Sequence, residues 1–224
     1  VADLKAQCRK YGVSITKYLA AALLWSVIRT ETDGKNLKKP AALNLPVNLR
    51  SFFDSETLAN FFAVVNISWP KGRAPENFRE VLTNVSRQMD EQIVKERLEE
   101  TISYNVSNEK KWYVRAIPLF IKHLAMELIF LRTSRAHTMT FSNIGPAKIR
   151  EDLRENVEDF ELLVGASPKQ RMKCGAVAYW RLRVQWQRIV CRKCFSVFWK
   201  IRGSRWSRRA TGSQTGNMIK DGIR

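Results

Sequence analysis

PVNLRSFFDSETLANFF, from Pro46 to Phe62, and TMTFSNIG, from Thr138 to Gly145, are the two stretches on which the reading of this chain turns. The first closes a strand running from Ala41 to Asn48, and a proline inside it, Pro46, points to an edge strand or a strand end. Asp54 to Asn60 reads as a short helix or turn. Phe62 to Trp69 (FAVVNISW) follows as a strand whose near-continuous apolar character suits burial on both faces. In the second stretch, Thr138 to Ser142 is a strand that Gly145-Pro146 stops.

Around these strands the chain alternates with helices. Gly12-Val13-Ser14 is a turn plus a cap, and Ile15 to Ile28 carries apolar residues at helical spacing. Asp3 to Lys10 reads as a further short helix, and Thr30 to Lys39 as a loop. From Glu76 to about Ile102, Phe78, Val81, Leu82, Val85, Met89 and Ile93 form one long amphipathic pattern. Pro118 sits where a helix begins, and Leu119 to Leu131 is apolar enough to predict a largely buried helix. Phe160–Ala166 and Gly175–Trp180 complete the strands. Interleaved strands and helices without a repeat predict an α/β class, with a mixed sheet and packed helices.

The two motif stretches resemble the second lobe of the chloramphenicol-acetyltransferase-like superfamily. That group spans alcohol O-acetyltransferases, plant-type CoA-dependent acyltransferases and peptide-synthetase condensation domains. Its members carry a short strand ending in Arg, matched by Asn48, Leu49 and Arg50, then an Asn with aromatics, matched by Asn60, Phe61 and Phe62. Later comes a Ser-Asn-x-Gly core, matched by Ser142, Asn143 and Gly145. The resemblance covers Val1 to about Trp180 and implies the C-terminal lobe of a two-lobe acyltransferase. It implies that Asn48, Arg50, Asn60 and Gly145 brace loop and sheet, with direct substrate contact as the lesser alternative for Arg50 and Asn60. Ser142 and Asn143 are implied near the acyl and CoA tunnel, where they could donate to a developing oxyanion or to pantetheine. The alternative for Asn143 and Gly145 is a plain turn at a strand end.

The family's catalytic signature, HHxxxDG, is absent. There the second His is the general base that takes a proton from the acceptor, a task suited to a pKa near neutrality. The two histidines here, His123 and His137, have no adjacent His and no Asp four residues on. No catalytic residue is therefore assigned. The resemblance implies an acyl-CoA, acetyl-CoA foremost, as co-substrate, a small alcohol or amine as acceptor, and a catalytic lobe supplied from elsewhere. No cofactor is expected to stay bound. The alternative is a non-catalytic, condensation-like binding module.

Metal chemistry is poorly supported. His123 and Glu127 share one helix face but lack a third ligand, so a salt-bridged His is the plainer reading. Cys191 and Cys194 make one CxxC without a second pair. Four scattered cysteines, no secretory leader and no apolar run long enough to cross a bilayer predict a soluble, cytoplasmic protein without a membrane role. The start at Val1 reads as a fragment boundary.

The net charge of +18 is unevenly spread. Residues 181–224 hold twelve Lys or Arg against one acid, Asp221, whereas residues 1–180 hold 27 against 20 acids. The composition therefore divides the chain at 180. Beyond it, Arg, Trp, Cys and Ser accumulate with no sustained period, and the expected strand, helix and acidic end are missing. An alternative reading frame, with free choice of synonymous codons, can restore a helical pattern followed by a strand. A frameshifted or disordered tail is expected there. The competing reading takes Trp186, Trp199 and Trp206 among the basic residues as stacking groups in a nucleic-acid-binding tail, with nonspecific, salt-sensitive binding as its minimum.

Overall fold

The computed structural model describes residues 2–31, 36–133, 138–146, 150–157, 162, 172–178 and 182–187. Helix α1 (Ala2–Tyr11) ends at Gly12, whose φ of +65° turns the chain into α2 (Ile15–Glu31). Ser14 caps α2 by accepting from the Lys17 amide at 3.3 Å. Leu19, Leu23, Leu24, Val27 and Ile28 leave α2 almost no exposed apolar surface. Its one buried polar side chain, Ser26, donates back to the Ala22 carbonyl at 2.7 Å and so stays satisfied.

Strands β1 (Ala41–Asn48), β2 (Phe62–Trp69), β3 (Met139–Pro146), β4 (Met172–Ala178) and β5 (Leu182–Gln187) form one sheet in the order β2-β1-β3-β4-β5. Pairing is parallel for β1–β3 and β3–β4, and antiparallel for β1–β2 and β4–β5. The fold is thus mixed α/β with a single open sheet, as the interleaved pattern implies. Leu43, Ile67, Met139 and Phe141 present one face to α2 and to Val81 and Val85 of α3 (Phe78–Gln92). Burying each such side chain stabilises by about 1.5–3 kcal/mol. Asn77 caps α3 through Oδ1, which accepts from the Glu80 amide at 3.0 Å.

Several expectations need correction. Strand β1 is interior, because β2 flanks it on one side and β3 on the other. Pro46 is tolerated since β1 pairs with β3 only at Leu43 and Asn44, so no β3 carbonyl awaits the missing N–H. Strand β2 is buried on one face only: Ala63, Val65, Ile67 and Trp69 point inward while Phe62 and Val64 are 52% and 45% exposed. Asp54 to Asn60 is irregular, and a short 3-10 turn occupies Leu49–Ser51 instead. The long helix is two, α3 and α4 (Lys95–Lys110), broken at Ile93 and Val94, where Ile93 leaves helical conformation.

Short helix α5 (Trp112–Ala116) leads to α6 (Leu119–Thr133), which was expected to be buried and is not. Leu119, Phe120, Leu124, Met126, Leu128, Ile129 and Phe130 are all more than half exposed. Apolar composition signals that a helix needs cover, not that its own domain supplies it. Strand β4 begins earlier than Gly175, and β5 carries the sheet past residue 180, the boundary drawn from composition. The expected strand Phe160–Ala166 lies, apart from Leu162, outside the described residues, as do His137, Cys191, Cys194 and residues 188–224. No single helix among the described residues is long and apolar enough to cross a membrane.

Candidate functional site

Pro46 opens a gap in the middle of the sheet. Strands β1 and β3 run parallel and pair at Leu43↔Met139 and Asn44↔Thr140, then part. Strand β3 meanwhile stays on β4 as far as Pro146↔Ala178, with an irregularity between Asn143 and Gly145. The gap therefore lies at the carboxyl ends of two parallel strands, the place where open α/β sheets receive ligands.

Alternation along β3 decides which motif residues reach the sheet's open face. Met139 and Phe141 are fully buried beneath the helices, so Thr140 and Ser142 project from the opposite face. Ser142 is half-buried and pairs with Gly175 of β4. A Cβ added to Gly175 would come within 2.9 Å of the Leu162 side chain, so this glycine admits a close approach of chain over the open face. At the root of the gap Asn44, on the same face, holds its Oδ1 buried and without a hydrogen-bond partner.

Asn143 points the other way. Its Nδ2 donates to Thr16 Oγ1 of α2 at 2.8 Å, and its Oδ1 accepts from the Gly145 amide at 3.0 Å. Gly145 has φ +77°, a conformation in which a side chain is strained. The structure thus separates Ser142 from Asn143: the hydroxyl lies on the open face, the carboxamide ties strand end to helix.

The first motif makes a clamp. Asn48 Oδ1 accepts from the Arg50 amide at 3.1 Å, and Arg50 Nη2 donates to the Thr57 and Ala59 carbonyls, both at 2.7 Å. One guanidinium holds the loop joining β1 to β2, using the fork geometry that lysine lacks. Asn60 is exposed at the end of that loop. Arg50 and Asn60 thus flank one hairpin of the sheet, with the Leu49 amide donating to the Phe61 carbonyl between them.

Chemically the gap offers the neutral hydrogen-bonding groups of Asn44 and Ser142, with Lys173 of β4, opposite Thr140 in the register, on the same face. The three central strands contain no His, Asp or Glu. Their one thiol, Cys174, is buried on the helix-covered face, and burial pushes its pKa well above the ordinary value. His123 and Glu127 are exposed on α6, and no group of three His, Cys, Asp or Glu converges among the described residues. An open groove between the end of β2 and α3 includes none of the motif residues. Sequence reading missed Asn44 altogether, although a polar residue two before a strand proline marks where pairing can end.

No family model matches the chain, and no curated protein does. Solved structures with a similar chain trace include polyketide synthase associated protein 5 from Mycobacterium tuberculosis, at 10% identity and a TM-score of 0.49. A condensation domain that mediates chain release from the enacyloxin polyketide synthase is similar at 11% identity and a TM-score of 0.45. The epimerization domain from the third module of tyrocidine synthetase B is similar at 13% and 0.45. These likenesses cover 90%, 96% and 87% of this chain but only 47%, 41% and 41% of those chains. The chain therefore spans less than half the length of these structures. At such identities and TM-scores the likeness carries no activity across.

Proposed function

We propose that this chain is the second lobe of a condensation-like or CoA-dependent acyltransferase, and that the whole protein moves an acyl group to a small alcohol or amine. One observation carries the reading: the two motif stretches, far apart in sequence, lie on strands that part to form a single gap. Arg50 fixes the loop at one side of it and Ser142 stands at the other. The orphan acceptor Asn44 Oδ1 suits an amide N–H, which the pantetheine arm of CoA carries, and the Ser142 hydroxyl suits a carbonyl or oxyanion.

Proton transfer is assigned to the other lobe. A base adjacent to the acceptor contributes on the order of 10²–10⁴ in rate, and β1, β3 and β4 carry no His, Asp or Glu to supply it. The exposed apolar residues of α6 form the surface that the catalytic lobe covers. The reading is tested by assaying thiol release from acetyl-CoA against a panel of alcohols and amines. The chain alone should show none. A protein in which this chain is joined to an HHxxxDG-bearing lobe should turn over, and Ser142→Ala should slow it.

A further inference from the structure

Two breaks divide the helical stretch from Lys95 to Thr133 into α4, α5 and α6. Lys111, extended at φ −62° and ψ 126°, separates α4 from α5. Ile117, extended at φ −66° and ψ 128°, ends α5 ahead of Pro118 and α6. The earlier joint at Ile93 and Val94 is held between packed helices, since Met89 of α3 and Leu98 of α4 are buried, Leu98 against Leu49 and Ala63. The joint after α5 is held as well. Proline disfavours helical backbone in the residue before it, which keeps Ile117 extended. Lys122 Nζ also donates across that joint to the Arg115 carbonyl at 3.3 Å, tying α6 to α5.

Lys111 has neither restraint. It is exposed, it precedes Trp112 rather than a proline, and its side chain does not cap α5. Its ammonium reaches back to Asn108 Oδ1 at 2.9 Å, a three-residue spacing that a continuous helix also brings together. Helix α5 has five residues, too few to hold a helix by themselves. The bend leaves first-turn amides of α5 and last-turn carbonyls of α4 without partners inside their own helices. With Lys111 helical, the Tyr113 and Val114 amides would meet the Glu109 and Lys110 carbonyls. The Arg115 amide would keep the Lys111 carbonyl that it already reaches at 3.1 Å. Beyond the joint, Leu119, Phe120, Leu124 and Leu128 of α6 are more than half exposed, so no described part of the chain packs over them to hold the helix in place.

We propose that Lys111 is a hinge with two positions, extended as in this structure and helical, about which α5 and α6 turn together as one arm. The change falls on one torsion, because the Lys111 φ of −62° already suits a helix and only ψ differs. The two positions present the apolar surface of α6 in two directions. Whatever covers that surface selects one of them by its unequal affinity for the two. The hinge goes beyond the acyl-transfer reading and does not rest on it, so the chain alone suffices for the test.

Backbone amide exchange on the full chain reads the hinge. The Tyr113 and Val114 amides should exchange about tenfold or more slowly than in an unstructured peptide, because the helical position closes their hydrogen bonds. Trp112→Pro sets Lys111 before a proline, as Ile117 already is, and proline is well tolerated at the first position of a helix. That variant should return both amides to within about twofold of the peptide rate, whereas Trp112→Ala should keep them protected. Should the proline variant misfold, spin labels carried by noncanonical residues at positions 99 and 115 report on the otherwise unchanged chain. They should give two distance populations, one at about 24 Å, the span of a continuous helix between them. Peptide-rate exchange in the parent chain overturns the proposal, and so does protection that survives in a folded Trp112→Pro chain. Loss of protection in Trp112→Ala as large as in the proline variant, or a single distance population at either position, overturns it too.

Discussion

The Asn143 carboxamide donates to the Thr16 hydroxyl at 2.8 Å across 127 residues of sequence, fastening the end of β3 to the first turn of α2. The same side chain accepts from the Gly145 amide, so it holds a helix side chain and the turn of its own strand at once. Asn143→Ala should cost about 1–2 kcal/mol, since both hydrogen bonds are lost in a half-buried site. Thr16→Val should cost less, and the double variant should show a coupling of about 0.5–1.5 kcal/mol by chemical denaturation. Strictly additive losses would mean that the pair does not interact in solution.

Burial raises the Cys174 thiol pKa above its ordinary value of 9.0, and Cys8 shifts the same way. The unfolded chain, with ordinary thiols, ionises first as pH rises. Stability from these groups is therefore full below about pH 8 and declines through the alkaline range. The slope approaches about 1.4 kcal/mol per pH unit for Cys174. Urea titrations between pH 7 and 10.5 should follow that decline, and Cys174→Ala should flatten it. A thiol reagent should leave Cys174 untouched until the sheet opens.

Arg50 holds its loop by a two-carbonyl clamp, so Arg50→Lys should loosen residues 52–60 locally while leaving the core intact. Exchange of amides in that loop should quicken by about tenfold, with global stability changed by less than about 1 kcal/mol, because the site is exposed. An unaltered loop would remove Arg50 from its bracing role.

The exposed apolar surface of α6 predicts self-association of the isolated chain. Replacing Leu124 and Leu128 by Lys should raise the soluble fraction and leave the free energy of unfolding within about 0.5 kcal/mol of the parent. A large loss of stability instead would show that these side chains are packed within the chain.

The central strands carry a pattern in their residues, with Leu43, Leu45 and Val47 alternating with Asn44, Pro46 and Asn48, because one buried face imposes it. The same rule also held the separation of Ser142 from Asn143, since neighbours on a strand face opposite ways, although the family motif groups them together. Burial of β2 was less legible: Phe62 and Val64 are as apolar as Ala63 and Val65, so composition did not tell an open face from a covered one. The break at Ile93 and Val94 has no Gly or Pro to announce it. Pro46 excludes a hydrogen bond on one side only, and which side depends on where β3 lies. Asn84, Gln88 and Gln92 of α3 stand at four-residue spacing in the sequence, but their hydrogen bonds to the Ser68 and Asn66 backbone of β2 are a tertiary fact.

Acetyl-CoA turnover is the measurement that tests the central claim most directly: that this lobe frames an acyl-transfer site but cannot catalyse alone. Thiol release should stay at background for the chain by itself. It should appear when the chain is joined to an HHxxxDG-bearing lobe, and fall when Ser142 is replaced by Ala in that two-lobe protein. Turnover by the chain alone that disappears on His137→Ala would contradict the claim. So would a completed, folded protein that cleaves no acyl-CoA in the presence of any alcohol or amine.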